Sequence, residues 1–151
     1  AAKALQAMNL AFMWHIVGDG SERARVEMLI TENALKDYVI LEGSKTNPYP
    51  YMKYADLFVH PSYIESQGLT VLEAMTLGVP CVVTKSRGPC EFIKDGVNGL
   101  LTEQSPESLT EKVLSILTDK TLYQSIKENT VCPEQFGPDR VMKQIEELID
   151  G

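Results

Sequence analysis

Pro61-Ser-Tyr-Ile-Glu65-Ser-Gln-Gly68-Leu-Thr-Val-Leu-Glu73-Ala-Met75 sets two carboxylates eight positions apart across the junction of a strand and a helix. Upstream, the apolar run Leu57-Phe-Val-His60 reads as a short buried strand. Downstream, Leu69 to Leu77 carries apolar residues at helical spacing, and Gly78 follows as an exit residue. Glu65 therefore hangs in the loop at the carboxyl end of the strand, and Glu73 follows in the second turn of the helix. Gly68 between them lets the backbone come close to a ligand at the helix's positive end. Ligands of open α/β sheets bind at this edge.

Working outward, strands and helices alternate. A helix over about residues 1 to 10 leads to a strand from Phe12 to Val17, then to a helix from Ser21, its N-cap, to about Asn33. A strand Tyr38 to Leu41 follows. The prolines of Asn47-Pro-Tyr-Pro50 break the chain before a short helix, Pro50 to Ala55, and the strand Leu57 to His60. Beyond the signature helix come the strand Cys81-Val-Val-Thr84, a helix near Pro89 to Lys94, and the strand Leu100-Leu101. Helices then run from Ser105-Pro106 to Leu117, from Lys120 to Asn129 and from Pro138 to Asp150. This βαβα order predicts one α/β unit, a Rossmann-like doubly wound parallel sheet spanning 1-151, with C-terminal helices from about 106.

Composition narrows the functional classes. A net charge of −7 and a pI near 4.8 oppose long-range attraction to nucleic acid, although a nucleotide can still be held by local N–H groups and a few basic side chains. No run approaches the roughly 20 apolar residues of a membrane span, and the start is a helical pattern, not a signal peptide. Three cysteines, Cys81, Cys90 and Cys132, form no CxxC and read as reduced thiols of a cytosolic protein, with Cys81 a small core residue at a strand's start. His15 and His60, both beside strands, form no metal-ligand cluster with them.

The Glu65-x7-Glu73 spacing resembles the signature of retaining glycosyltransferases of family 4, in the second, nucleotide-sugar-binding half of a GT-B enzyme. The similarity extends along the chain: Val17-Gly18-Asp-Gly20 resembles the family's turn after a strand, and Tyr54-Ala-Asp56 resembles the approach to the signature. Gly78-Val-Pro80 resembles its exit. Gly88-Pro-Cys-Glu91 and Asp95-Gly-Val-Asn-Gly99-Leu-Leu101 resemble the segments that close such domains, and Phe136-Gly-Pro-Asp139 resembles the opening of the last helix. Family members also carry an Arg-bearing first strand and a Lys at the start of the next helix. Neither is present here. The resemblance therefore implies a gap between the Phe12 and Leu57 strands and weak nucleotide binding by these residues alone.

By that resemblance Glu65 is the catalytic contact to the donor sugar, Glu73 accepts the two ribose hydroxyls, and the amides of Ser66, Gln67, Gly68 and Leu69 face sugar and diphosphate. Ser66-Gln67 stands where family members often have Gly-Phe. The same pattern also fits a solvated loop acid at 65 and an ordinary surface helix residue at 73. Gly18 and Gly20 would bring backbone near the donor or simply turn the chain, and Gly43-Ser44 lies where related enzymes contact the base. Arg87, with Lys85, would neutralise diphosphate or lie solvated, Gly88 matches the family's Gly-x-x-Glu, and Glu91 would touch the sugar or cap a short helix. Tyr49, Tyr51 and Tyr54 are expected to be core packing.

The resemblance implies transfer of a hexosyl group from a nucleoside-diphosphate sugar of the UDP or GDP type, with no cofactor and no metal. Its partners would be the nucleotide sugar and a facing N-terminal acceptor domain, without which these residues would be inactive, and no nucleic acid. The acceptor would be lipid-linked or a polysaccharide, as Asn47-Pro-Tyr-Pro-Tyr-Met resembles enzymes of bacterial surface-polysaccharide synthesis. The location implied is cytoplasmic, or peripheral at the membrane. A nucleotide-sugar epimerase, a phosphorylase and a non-catalytic nucleotide-sugar-binding module of the same fold are alternatives.

Overall fold

The computed structural model describes residues 1–131 and Gly137. The final helix expected over Pro138 to Asp150, the Phe136-Gly-Pro-Asp139 segment apart from Gly137, and Cys132 lie outside the described residues.

Element order follows the alternation of the sequence: α1 Ala2–Ala7, β1 Trp14–Val17, α2 Arg23–Glu32, β2 Val39–Gly43, α3 Tyr49–Lys53, β3 Phe58–His60, α4 Leu69–Thr76, β4 Cys81–Thr84, β5 Leu100–Thr102, α5 Pro106–Thr118 and α6 Lys120–Asn129. All strand pairing is parallel, but it forms two sheets: β1 pairs β2, with Trp14 opposite Val39, and β4 lies between β3 and β5, with Val82 opposite both Val59 and Leu100. The expected single sheet is thus split where the sequence placed a gap, between β1 and β3.

Two apolar clusters hold the elements. One packs Val71, Leu72, Ala74 and Met75 of α4 against Cys81 and Val83 of β4, with Phe92 and Ile93 behind them. The other packs Val82 and Leu100 against Leu5 of α1, Val113 and Ile116 of α5 and Ile126 of α6. Phe12 and Trp14 lean on this second cluster together with Leu57 and Val59, so the core continues between the sheets. All four residues of β4 are buried, as expected of a central parallel strand covered on both faces. Burial pushes the Cys81 thiol up to about 12, which makes it an inert core residue, as its position predicts.

Helix starts reveal where local chemistry decides the boundary. Ser105 accepts the Ser108 amide at 3.1 Å, with Pro106 next, and Asp119 accepts the amides of Thr121 and Leu122 at 2.9 and 3.0 Å. Ser21, by contrast, does not cap α2. The Arg23 amide donates to the Gly20 carbonyl at 3.1 Å, so a turn consumes Ser21 and Glu22 before the helix begins, and Glu22 sits at the cap position without a side-chain capping bond. The expected helix near Pro89 to Lys94 is a single 3-10 turn, Pro89–Glu91. No helix among the described residues is long and apolar enough to cross a membrane.

Candidate donor site

The site grows from two loops at the carboxyl ends of β3 and β4. After His60 the chain is anchored from β4, whose Thr84 hydroxyl donates to the His60 carbonyl at 3.3 Å and also to the Ser62 carbonyl. Gln104, beyond β5, adds bonds from its amide to the Tyr63 and Lys85 carbonyls at 2.6 and 3.1 Å. The Gly88 amide then donates to the Glu65 carbonyl at 3.2 Å. Gly88 could hold no other side chain: a Cβ there would lie 2.6 to 2.8 Å from the backbone of Gln67. Its φ is −59°, so close approach is the reason for glycine, not handedness. Gly68 has both reasons, with φ of +72° and a hypothetical Cβ 3.1 Å from the Phe92 ring.

Glu65 lies folded into this frame. Its Oε1 accepts the amides of Gly68 at 2.9 Å and Gln67 at 3.1 Å. Those bonds, Gly68 first, hold its carboxyl below the ordinary value, so the group is charged. Two of the amides expected to face a ligand therefore serve Glu65 itself. The amides of Ser66, Leu69 and Thr70 have no acceptor among the described residues, and all three residues are exposed. They surround the positive end of α4, where an anion is favoured.

Glu73 is half-buried on α4, and its Oε1 accepts the Tyr49 hydroxyl at 3.2 Å. That bond raises the Tyr49 hydroxyl's pKa. Glu73 is thus half-buried, and α3 is tied to it by this bond. The tyrosines are not the core group expected. Tyr54 is 82% exposed and Tyr49 47%, while the Tyr51 hydroxyl donates to Glu42 at 2.9 Å. Pro48 and Pro50 confine this segment to one helical turn, too short to bury one face against the core.

Other expected residues divide between the halves. Gly18, at φ of +139°, donates its amide to the Gly43 carbonyl at 2.9 Å, so the turns after β1 and β2 are joined. The Gly20 amide donates to Asp19 Oδ1 at 2.8 Å. Gly18 and Gly20 border a concavity of about 290 Å³, also lined by Ile16, Arg23, Val26 and Leu41. Neither glutamate of the signature lines it. Lys85 is exposed and ion-paired with Glu103, whereas Arg87 is exposed with no partner among the described residues. Glu91 is exposed at the end of the 3-10 turn and makes no side-chain cap. No cluster of three or more His, Cys, Asp or Glu side chains among the described residues could hold a metal ion.

Two residues that the sequence reading did not assign to this site lie against its glutamates. Tyr49 was read as packing because its partner is 24 positions away. His60 carried a usable signal: it is the last residue of β3 at the ligand-binding edge, and its Nε2 lies 3.5 Å from Glu65 Oε2.

Parallel strands, helices over β4, and polar loops gathered at the strands' carboxyl ends define a Rossmann-like unit of the GT-B glycosyltransferase kind. The likeness to Anabaena HepE in complex with UDP is close, at a TM-score of 0.83 and 28% identity, covering 92% of this chain and 41% of that one. The chain belongs to the family of glycosyl transferases group 1, whose model matches residues 1–131. It is similar to N-acetyl-alpha-D-glucosaminyl L-malate synthase of Bacillus anthracis, 31% identical over 88% of this chain and 36% of the relative. It is also similar to the poly(ribitol-phosphate) alpha-N-acetylglucosaminyltransferase of Staphylococcus aureus, 32% identical over 89% of this chain and 28% of the relative. The chain thus spans about a third of the length of these two relatives.

Proposed function

We propose that residues 1–151 form the donor-binding part of a retaining family 4 glycosyltransferase, which transfers a hexosyl group from a nucleoside-diphosphate sugar to an acceptor in polysaccharide or glycoconjugate synthesis. The observation that carries this reading is the loop of Glu65 to Gly68, pinned under Gly88 and opening onto the free amides of α4. As the bond between sugar and diphosphate breaks, negative charge grows on the leaving oxygens. Fixed N–H groups of Ser66, Leu69 and Thr70, with Arg87 nearby in sequence, stabilise that charge more than they stabilise the bound donor. No metal is required by this scheme.

Glu65 would meet the sugar hydroxyls through Oε2, since Oε1 is taken by amides. Glu73 would accept the ribose diol, with Tyr49 fixing its orientation. UDP is the favoured nucleotide because the HepE structure contains it. The acceptor, a polysaccharide or lipid-linked sugar, would be held by a facing domain, so residues 1–151 alone would transfer nothing: holding two reactants in line supplies about 7–11 kcal/mol of a barrier. Such an enzyme would work in the cytoplasm, at the membrane surface where its acceptor is lipid-linked.

The test is to separate binding from turnover in the protein as its gene encodes it. Glu73→Ala is expected to weaken UDP binding by about tenfold or more, the range of a lost hydrogen bond to a charged group, whereas Glu65→Ala leaves UDP affinity near native and lowers sugar transfer. Calorimetry with UDP and a radiolabelled-donor assay read the two. Unchanged UDP affinity in Glu73→Ala would reject the ribose assignment.

A further inference from the structure

His60 Nε2 is buried and has no hydrogen-bond partner among the described residues. The ring is not loosely placed. It stacks on Phe58 at 6.2 Å between centroids and 17° between planes, and its backbone is fixed by pairing with Val83 and by the Thr84 hydroxyl. A polar atom held rigidly in a buried position without a partner is a defect in a folding sense, because the water it gave up is not replaced. The atom it faces is Glu65 Oε2, at 3.5 Å, slightly beyond a formed hydrogen bond.

Glu65 lacks one constraint that a positioned carboxylate needs. Two amides fix Oε1 as a pivot, but a pivot alone leaves the carboxylate plane free to swing about it. We propose that His60 is the positioning residue of Glu65: its Nε2–H is the second support, donating to Oε2 and setting the carboxylate plane when a sugar hydroxyl donates to that same oxygen. This rests on the assignment of Glu65 to the donor sugar. A contraction of a few tenths of an ångström turns the contact into a hydrogen bond, and the oxygen has lone pairs for both donors. His60 then acts through Glu65 on the sugar and not on the nucleotide.

The experiment uses the gene-encoded protein with UDP and UDP-glucose as probes. His60→Leu is expected to lower kcat about tenfold to a hundredfold, the range of a hydrogen bond to a charged group, while KM and the UDP affinity stay within about twofold of native by the same assignment. His60→Gln, which keeps an N–H donor, is expected to recover most of the loss. On a Glu65→Ala background, His60→Leu should add nothing further; additive losses would overturn the proposal. Equal loss in the Leu and Gln variants would also overturn it. Glu65→Ala with native turnover would instead reject the underlying donor-sugar assignment, whatever His60 does. Should the Leu variant not fold, the imidazole nitrogen resonances of the native protein decide: a proton on Nε2 that responds to Glu65→Gln is expected, and an unprotonated Nε2 sinks the idea.

Discussion

The two sheets are held together by different chemistry. In the half built on β3, β4 and β5, every residue of β4 is buried and α4 contributes Val71, Leu72, Ala74 and Met75 to the core. In the half built on β1 and β2, α2 contributes no buried residue at all, and Met28 and Leu29 stand 52% and 44% exposed. What ties this half instead is a polar knot. Glu42 on β2 accepts His15 of β1 at 2.9 Å, Tyr51 of α3 at 2.9 Å and Lys45 at 3.1 Å. The same alternation of strand and helix thus produces one half fixed by removal of apolar surface from water and another in which directional bonds to one carboxylate supplement a smaller apolar contact through Phe12, Trp14, Leu35 and Val39.

That contrast is open to attack at three places. The largest effect is expected at Met75, which is fully buried beneath α4. Met75→Ala should lower the unfolding free energy by about 2–5 kcal/mol, the range for emptying a buried site, as read by denaturant titration. A loss below 1 kcal/mol would mean that the apolar half is not the stronger one.

A smaller and pH-dependent effect is expected at Glu42. Its carboxyl is lowered from an ordinary 4.5 to about 2, first by the His15 bond, then by those of Tyr51 and Lys45. A depressed carboxylate stabilises the folded state above its ordinary value and loses that contribution as pH falls through the folded one. Amide exchange in β1 and β2 should therefore accelerate in the native protein between about pH 4.5 and 2, relative to β4. In Glu42→Gln the difference between the halves should already be present at neutral pH and should not change over that window. A native protein whose two sheets respond equally to acid would remove the polar knot from the account.

The smallest effect is expected on α2. Leu29→Ala should change stability by no more than about 0.5 kcal/mol, as for a surface position, because the side chain is already substantially in contact with water. A cost comparable with Met75→Ala, measured in the same titration, would show that the exposed face of α2 is covered in solution.

The sequence was most readable where backbone chemistry repeats. The strand Cys81–Thr84, the helix over the signature and the helix starts at Ser105-Pro106 and Lys120 follow from apolar spacing and from boundary residues before helices. The separation of β1 from β3 was foreseeable only through the resemblance to GT-B enzymes, which implied a gap there. The cap at Ser21 was not, since a turn starting at Gly20 competes for the same residues. Within the candidate site, the placement of Glu65 in the loop after β3, of Glu73 in the second turn of α4 and of a turn at Gly68 was legible in the sequence. Their companions were not: nothing local to Tyr49 announces Glu73, and nothing in the sequence shows that Lys85 meets Glu103. Contacts between side chains far apart in the chain depend on how loops settle, and no periodicity encodes that.

The close approach of Gly88 to Gln67 sets which changes of side chain this loop tolerates. What Gly88 touches is main chain, the N, Cα and C atoms of Gln67, and not its side chain. The side chains of Ser66 and Gln67 are exposed, so mutation is free to exchange them without moving the frame that carries Glu65. A side chain at 88 would therefore push on the main chain of the neighbouring loop, whereas the side chains at 66 and 67 can change in size and polarity while the frame that carries Glu65 stays in place.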